Sequence, residues 1–182
     1  RSWLTENGLE SISRARLRDL LAQALTVRGD ARLLLRIGAC EVRRHRGLLL
    51  LREAQRTAGD VATINWQGEE EIAVPTWGGV LRFDTSVDEG FELEWLSSAP
   101  LEVRGRGGGE RFKPHPTRPS KTLKRLFQDA NVPEFERARL PLVWRGEDLI
   151  FVAGLGADVR LVDTGGPRVM LTWQPDAPLL GG

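Results

Sequence analysis

Apolar residues recur at Leu17, Leu20, Leu21, Ala24 and Leu25. That is the spacing of one helix face. It predicts a helix from a Ser11 or Ser13 cap to about Val27, stopped by Gly29-Asp30. Residues 1–7 read as the last turns of an earlier helix, with Gly8 as its stop. The period then changes. Leu33–Ile37, Glu41–His45 and Leu48–Arg52 read as three short strands, the last two joined tightly around Arg46-Gly47. Thr57-Ala58-Gly59-Asp60 is a turn or linker signal. Beyond it the spacing predicts strands at Ala62–Trp66, Glu71–Val74, Val80–Phe83 and Phe91–Trp95, the last alternating Phe91, Leu93 and Trp95 against Glu92 and Glu94. Leu101–Arg104 is another. Residues 105–119, with four glycines and three prolines, read as one long loop, a kind that is uncommon and tends to be functional or disordered. A helix is predicted from a Ser120 cap to Ala130, with Asn131 past its end and Pro133 beyond. A short helix at Glu134–Arg139 follows. Strands at Leu142–Trp144, Leu149–Val152, Val159–Val162 and Val169–Trp173 complete the pattern, and residues 175–182 read as a frayed tail.

Composition narrows the class. The chain has 182 residues, 41% apolar and 28% charged, the balance of a globular protein with a real core. Its single cysteine, Cys40, excludes an internal disulfide framework and fits a reducing compartment. No apolar run approaches a membrane span. Residue 1 is arginine and Met170 is the lone methionine, so a piece of a longer protein is expected.

Charge adds what the formal net of +1 hides. Residues 1–60 carry 12 arginines against 7 acids, whereas residues 61–100 carry one arginine against 8 acids. The reversal falls at the linker signal, which places a domain boundary there. Between Arg104 and Arg125 stand 8 basic residues and one acid, Glu110. Such asymmetry marks a candidate polyanion-binding face.

On the predicted helix, at about 100° per residue, Leu123, Leu126, Phe127 and Ala130 share one side. Lys121, Lys124 and Arg125 share the other. The preceding loop adds Arg104, Arg106, Arg111, Lys113 and Arg118. Glycines there would let backbone approach a phosphate, and a helix N-terminus favours an anion. Spacing alone leaves two readings open, a polyanion cradle or a solvated basic face. Other chemistries find little support. Glu110 stands where a dinucleotide fingerprint needs its third glycine, and no GK[ST] follows. Cys40, His45 and His115 do not make a zinc set. There is no G-x-S-x-G elbow.

The run Arg111-Phe112-Lys113-Pro114, then Ser120 through Pro133, then Arg137-Ala138-Arg139-Leu140-Pro141-Leu142-Val143 and Val152-Ala153-Gly154, resembles the C-terminal domain of bacterial tRNA(Ile)-lysidine synthetases. Glu134 departs from that family's second proline. Arg1-Ser2-Trp3-Leu4, and Gly38 to Arg44 with Gly47, resemble the upstream part of the same family. The resemblance implies an ATP-dependent ligase that converts the wobble cytidine of the isoleucine tRNA with a CAU anticodon to lysidine, in the cytoplasm. The chemistry, with ATP and magnesium, would belong to an N-terminal domain bearing S-G-G-x-D-S, which is absent from this sequence.

The expectation is therefore an α+β chain with no active site or cofactor of its own. Residues 1–59 would form a small helical and β substrate-recognition domain. Residues 60–182 would form a β-rich domain with one main basic helix, similar to one in the phenylalanyl-tRNA synthetase β subunit. The expected tRNA contacts are Arg104, Arg106, Arg111, Lys113, Arg118, Lys121, Lys124 and Arg125, with Arg43, Arg44 and Arg46 as a second, weaker patch. The family's own catalytic domain and a second copy of the chain are further expected partners, and a membrane is not. The rival reading is a scaffold, dimerisation or docking module without direct RNA contact.

Overall fold

A computed structural model describes residues 13, 15, 18, 19, 22, 34–37, 40–45, 48–53, 60–86 and 88–176. The chain divides into two compact units, one of residues 1–56 with 179–182 and one of residues 57–178.

In the first unit, Ala15, Arg18, Asp19 and Ala22 are helical and exposed. Their spacing is that of one helix face. The expected helix at 1–7, its Gly8 stop and the Arg46-Gly47 connection lie outside the described residues. Strands β1 (Leu34–Ile37), β2 (Cys40–His45) and β3 (Leu48–Glu53) form an antiparallel sheet in that order. Glu41 is buried in β2 and pairs with Arg36 and Arg43.

The second unit holds two five-stranded antiparallel sheets. One runs β13-β12-β11-β8-β4, from β4 (Ala62–Ile64), β8 (Leu101–Arg104), β11 (Leu142–Arg145), β12 (Asp148–Val152) and β13 (Gly156–Ala157). The other runs β14-β7-β15-β6-β5, from β5 (Glu71–Val74), β6 (Gly79–Ser86), β7 (Glu89–Glu92), β14 (Asp163–Thr164) and β15 (Arg168–Pro175). Alternation decides which side chains enter the core. In β6, Leu81 and Phe83 are buried while Arg82 turns out to meet Glu71 at 2.8 Å. In β8, Leu101 and Val103 are buried while Glu102 and Arg104 face outward. One apolar cluster joins both sheets to the helices, with Phe91, Phe112, Phe127, Leu142 and Ile150 among its fully buried members. The mixed, strand-rich fold is α+β.

Two predicted strands are replaced by other structure. The strand expected at Phe91–Trp95 stops at Glu92, and helix α1 (Leu93–Ser97) follows. The apolar set there is Phe91, Trp95 and Leu96, not Phe91, Leu93 and Trp95. Phe91 and Leu96 are fully buried, Leu93 is exposed, and the Phe91 and Trp95 rings stack 5.9 Å apart. Phe91 stays on β7 while Trp95 and Leu96 lie on α1, so the alternation ends where the chain turns into the helix. The strand expected at Val159–Val162 is a turn closed by Leu161 N–H on the Asp158 carbonyl. No helix among the described residues is long and apolar enough to cross a membrane.

Candidate nucleic-acid interface

The basic stretch is more ordered than one long loop. Arg111–Phe112 (β9) and Lys121–Thr122 (β10) pair antiparallel, Thr122 beside Arg111 and Lys121 beside Phe112. Phe112 is the anchor, fully buried in the core. Arg111 Nη2 closes the ribbon by donating to the Ser120 carbonyl at 2.7 Å. Two loops result, 105–110 and 113–120.

Helix α2 (Leu123–Asp129) leaves the ribbon directly. Its N-cap is Thr122, with extended backbone and no side-chain cap bond. The expected cap, Ser120, lies before the ribbon. Lys121 therefore sits on a strand, and the Glu110 carbonyl accepts from Leu123 N–H at 3.0 Å. The helix ends as the sequence indicated. Asn131 takes a φ of 58°, and Val132 and Asn131 donate back to the carbonyls of Phe127 and Gln128. This is the paired bonding of a Schellman end. Leu123, Leu126 and Phe127 are buried, while Lys124 and Arg125 are exposed.

The three cations expected on one helix face are not equivalent. Lys121 Nζ lies 2.8 Å from Asp129 Oδ2, and Arg125 Nε lies 3.1 Å from Asp129 Oδ1. The Lys121 hydrogen bond, helped by the charges of Arg125 and Lys121 and, more weakly, of Arg118, holds the Asp129 carboxyl below the ordinary carboxylate range. Asp129 lies just past the window of basic residues counted in the sequence; its i, i+4 spacing from Arg125 was the available signal. Lys124 has no acid partner among the described residues. If Asp129 damps the face, Asp129→Asn should tighten binding of a polyanion by roughly threefold, since surface ion pairs are worth up to about 1 kcal/mol. A titration with an RNA probe would read this, and unchanged or weaker binding would count against it.

The loop cations also differ from one another. Arg104 pairs with Glu102 at 3.2 Å and lies 4.2 Å above the Trp144 ring. Arg106 lies 5.6 Å from the Phe127 ring centroid. Arg118 is exposed. Lys113 is clamped through its backbone: its N–H donates to Asp158 Oδ2 at 3.2 Å, and its carbonyl accepts from Val159 N–H at 2.9 Å. Asp158 is fully buried. It also accepts from Arg160 N–H, Nε and Nη2, the last at 2.6 Å. Sequence reasoning passed over Asp158, because its partner Lys113 stands 45 positions away.

The glycine loop is not an open cradle. Glu110 Oε1 accepts from the N–H groups of Gly107 at 2.5 Å and Gly108 at 2.7 Å. The chain's own carboxylate thus fills the amide groups expected to meet a phosphate. Arg111, Lys113, Arg118 and Lys124 remain as cations without an ion pair among the described residues.

The second patch is not one face. Arg43 and Arg44 are neighbours on β2, so their side chains point to opposite sides. Arg43 Nη2 is 3.1 Å from Glu41 Oε2. Arg46 lies outside the described residues.

Residues 1–50 match the family model described as the TilS substrate binding domain, and residues 101–173 match that of the TilS substrate C-terminal domain. The chain belongs to the TilS family. The tRNA(Ile)-lysidine synthase of Ralstonia nicotianae is 39% identical over 174 residues, covering 91% of this chain and 37% of that protein. The tRNA(Ile)-lysidine synthase of Nitrosomonas europaea is 31% identical over 161 residues, covering 88% of this chain and 35% of that protein. A crystal structure of a TILS C-terminal domain aligns with 65% of this chain and all of its own, at a TM-score of 0.49 and 21% identity. This TilS chain therefore spans a little over a third of the length of those two relatives.

Proposed function

We propose that this chain is the tRNA-holding part of a cytoplasmic tRNA(Ile)-lysidine synthase. In this reading ATP and magnesium act on a separate catalytic domain, which these residues supply with the isoleucine tRNA bearing a CAU anticodon. Residues 1–59 and 60–182 act as two RNA-facing domains. The observation that carries the reading is the β9–β10 ribbon running straight into α2. It gathers Arg111, Lys113, Arg118 and Lys124 along one short stretch of ordered chain, anchored by the buried Phe112. The relatives' names supply the substrate.

Such cations meet phosphate oxygens. Those contacts fix register and orientation and carry little sequence information. Choice among tRNAs would then come from RNA shape and from unpaired ends or loops. Arg104 and Arg106, stacked on rings, and Lys121 and Arg125, sharing Asp129, contribute less each. So do Arg43, Arg44 and Arg46.

The test is direct binding of the 182-residue chain to an isoleucine tRNA transcript at low salt. The reading expects a Kd tighter than about 1 µM, the strong end of non-specific polyanion binding. No binding at that level would overturn it in favour of a scaffold, dimerisation or catalytic-domain docking role, for which concentration-dependent sedimentation is the readout.

A further inference from the structure

The lone acid of the basic stretch occupies the one place in it built for an anion. Gly107 and Gly108 direct consecutive peptide N–H groups at a single oxygen, Glu110 Oε1. Converging backbone N–H groups of this kind bind anions because their dipoles add. The conformation needs glycine: Gly108 and Gly109 have φ of 99° and 87°. An added Cβ would meet nothing within 4 Å at Gly108 and Gly109, and only Glu110 Oε1, at 3.6 Å, at Gly107. Beside Gly107 the nearest group is thus the Glu110 carboxylate itself, the occupant that an incoming anion would replace.

The occupant fits imperfectly. Glu110 Oε2 is buried and accepts no hydrogen bond. Two other atoms of the same stretch, Arg106 Nε and Ser120 Oγ, are also buried without a partner. Buried polar atoms left unpaired are costly. A phosphate carries more oxygens than a carboxylate, and so can accept more hydrogen bonds. Polyanion binding also brings phosphates up to Arg111 and Lys113, where a fixed carboxylate repels them.

We infer that the Gly107–Gly108 amide pair is a phosphate seat that Glu110 fills in the free protein, and that an RNA phosphate displaces the Glu110 side chain on binding. The inference rests on the tRNA-holding reading above and assigns Glu110 the role of a competing internal anion. Glu110→Gln keeps an oxygen able to accept the two N–H bonds, so loop shape is retained, but it removes the charge that makes those bonds strong. A neutral occupant yields the seat more readily.

The experiment uses the 182-residue chain labelled with ¹⁵N-glycine. Saturating isoleucine tRNA transcript should move the amide signals of Gly107 and Gly108 in the wild type. Glu110→Gln should bind that transcript roughly tenfold more tightly, the difference between a charged and a neutral acceptor. Glu102→Gln, which removes an equal charge beside Arg104 but away from the seat, should change affinity by less than about twofold. If tRNA saturates the chain while the Gly107 and Gly108 signals stay put and Glu110→Gln binds no tighter, the seat is wrong and the tRNA reading stands. If tRNA does not bind but inorganic phosphate moves those two signals in Glu110→Gln, the seat is right and the tRNA reading fails. If tRNA does not bind and phosphate moves neither signal, both are wrong.

Discussion

Asp158→Ala is expected to lower the unfolding free energy by about 3 kcal/mol, because it removes a buried carboxylate that accepts several hydrogen bonds, each worth about 1 kcal/mol net. The Asp158 side chain is fully buried and receives four hydrogen bonds, one from Lys113 N–H and three from Arg160. Arg160 keeps half its side chain in solvent, so its charge is not stranded by the change. The lost terms are the bonds to the two half-buried backbone donors and to the Arg160 side chain, and with them the hold on loop 113–120. Urea unfolding reads the difference. A loss below about 1 kcal/mol, the worth of one ordinary hydrogen bond, would show that the loop does not depend on this carboxylate.

The same group gives the fold an acid limb. Burial pushes the Asp158 carboxyl up, but the Arg160 side chain and the two backbone N–H groups outweigh it, so its folded value lies below the unfolded one. A group depressed on folding contributes stability that is complete above its unfolded value and fades as pH falls below it toward the folded value. Asp158→Asn should therefore cost most near neutral pH. Below the ordinary aspartate range its stability should converge on that of the wild type. A gap that stays constant into acid would contradict the assignment.

Lys113/Arg118/Lys124→Glu is expected to weaken isoleucine tRNA binding by at least ~10³-fold near 0.1 M salt, since each neutralised phosphate is worth roughly a factor of ten there. The structure makes a comparison that charge counting cannot. Lys121/Arg125→Glu reverses two cations that already share Asp129. Its loss should be smaller per residue than that of the first variant. Neither Lys113 nor Arg118 nor Lys124 makes a side-chain hydrogen bond or ion pair among the described residues, so the triple variant should keep the wild-type unfolding midpoint. If the two variants lose affinity equally per charge, the damping assigned to Asp129 is absent.

These effects show where sequence ends and structure begins. The strands were legible because the side-chain period of two matches burial on one face, as in Leu81 and Phe83 or Leu101 and Val103. The close of α2 was legible because Asn131 and Pro133 are local stop signals. Its start was not. Ser120 is a good cap by type, but the ribbon pairing of Lys121 with Phe112 takes precedence, and the helix waits for Thr122. Phe91–Trp95 misled because its alternation runs across the end of β7 into the start of α1, and only the buried Leu96 beside Trp95 marks the change of period. At the site, the cluster of cations was visible but its internal compensation was not. Asp129 and Glu110 reach their partners through turns that a linear charge count ignores. Asp158 reaches Lys113 across the fold, and no local pattern announces it.

In the proposed reading four cations that make no ion pair among the described residues, Arg111, Lys113, Arg118 and Lys124, hold tRNA phosphates. The salt dependence of binding between the wild-type chain and an isoleucine tRNA transcript tests it most directly. Four neutralised phosphates predict a log–log slope of about −3 to −4. A slope near zero, with binding retained, would contradict the account, because recognition would then rest on contacts other than these cations.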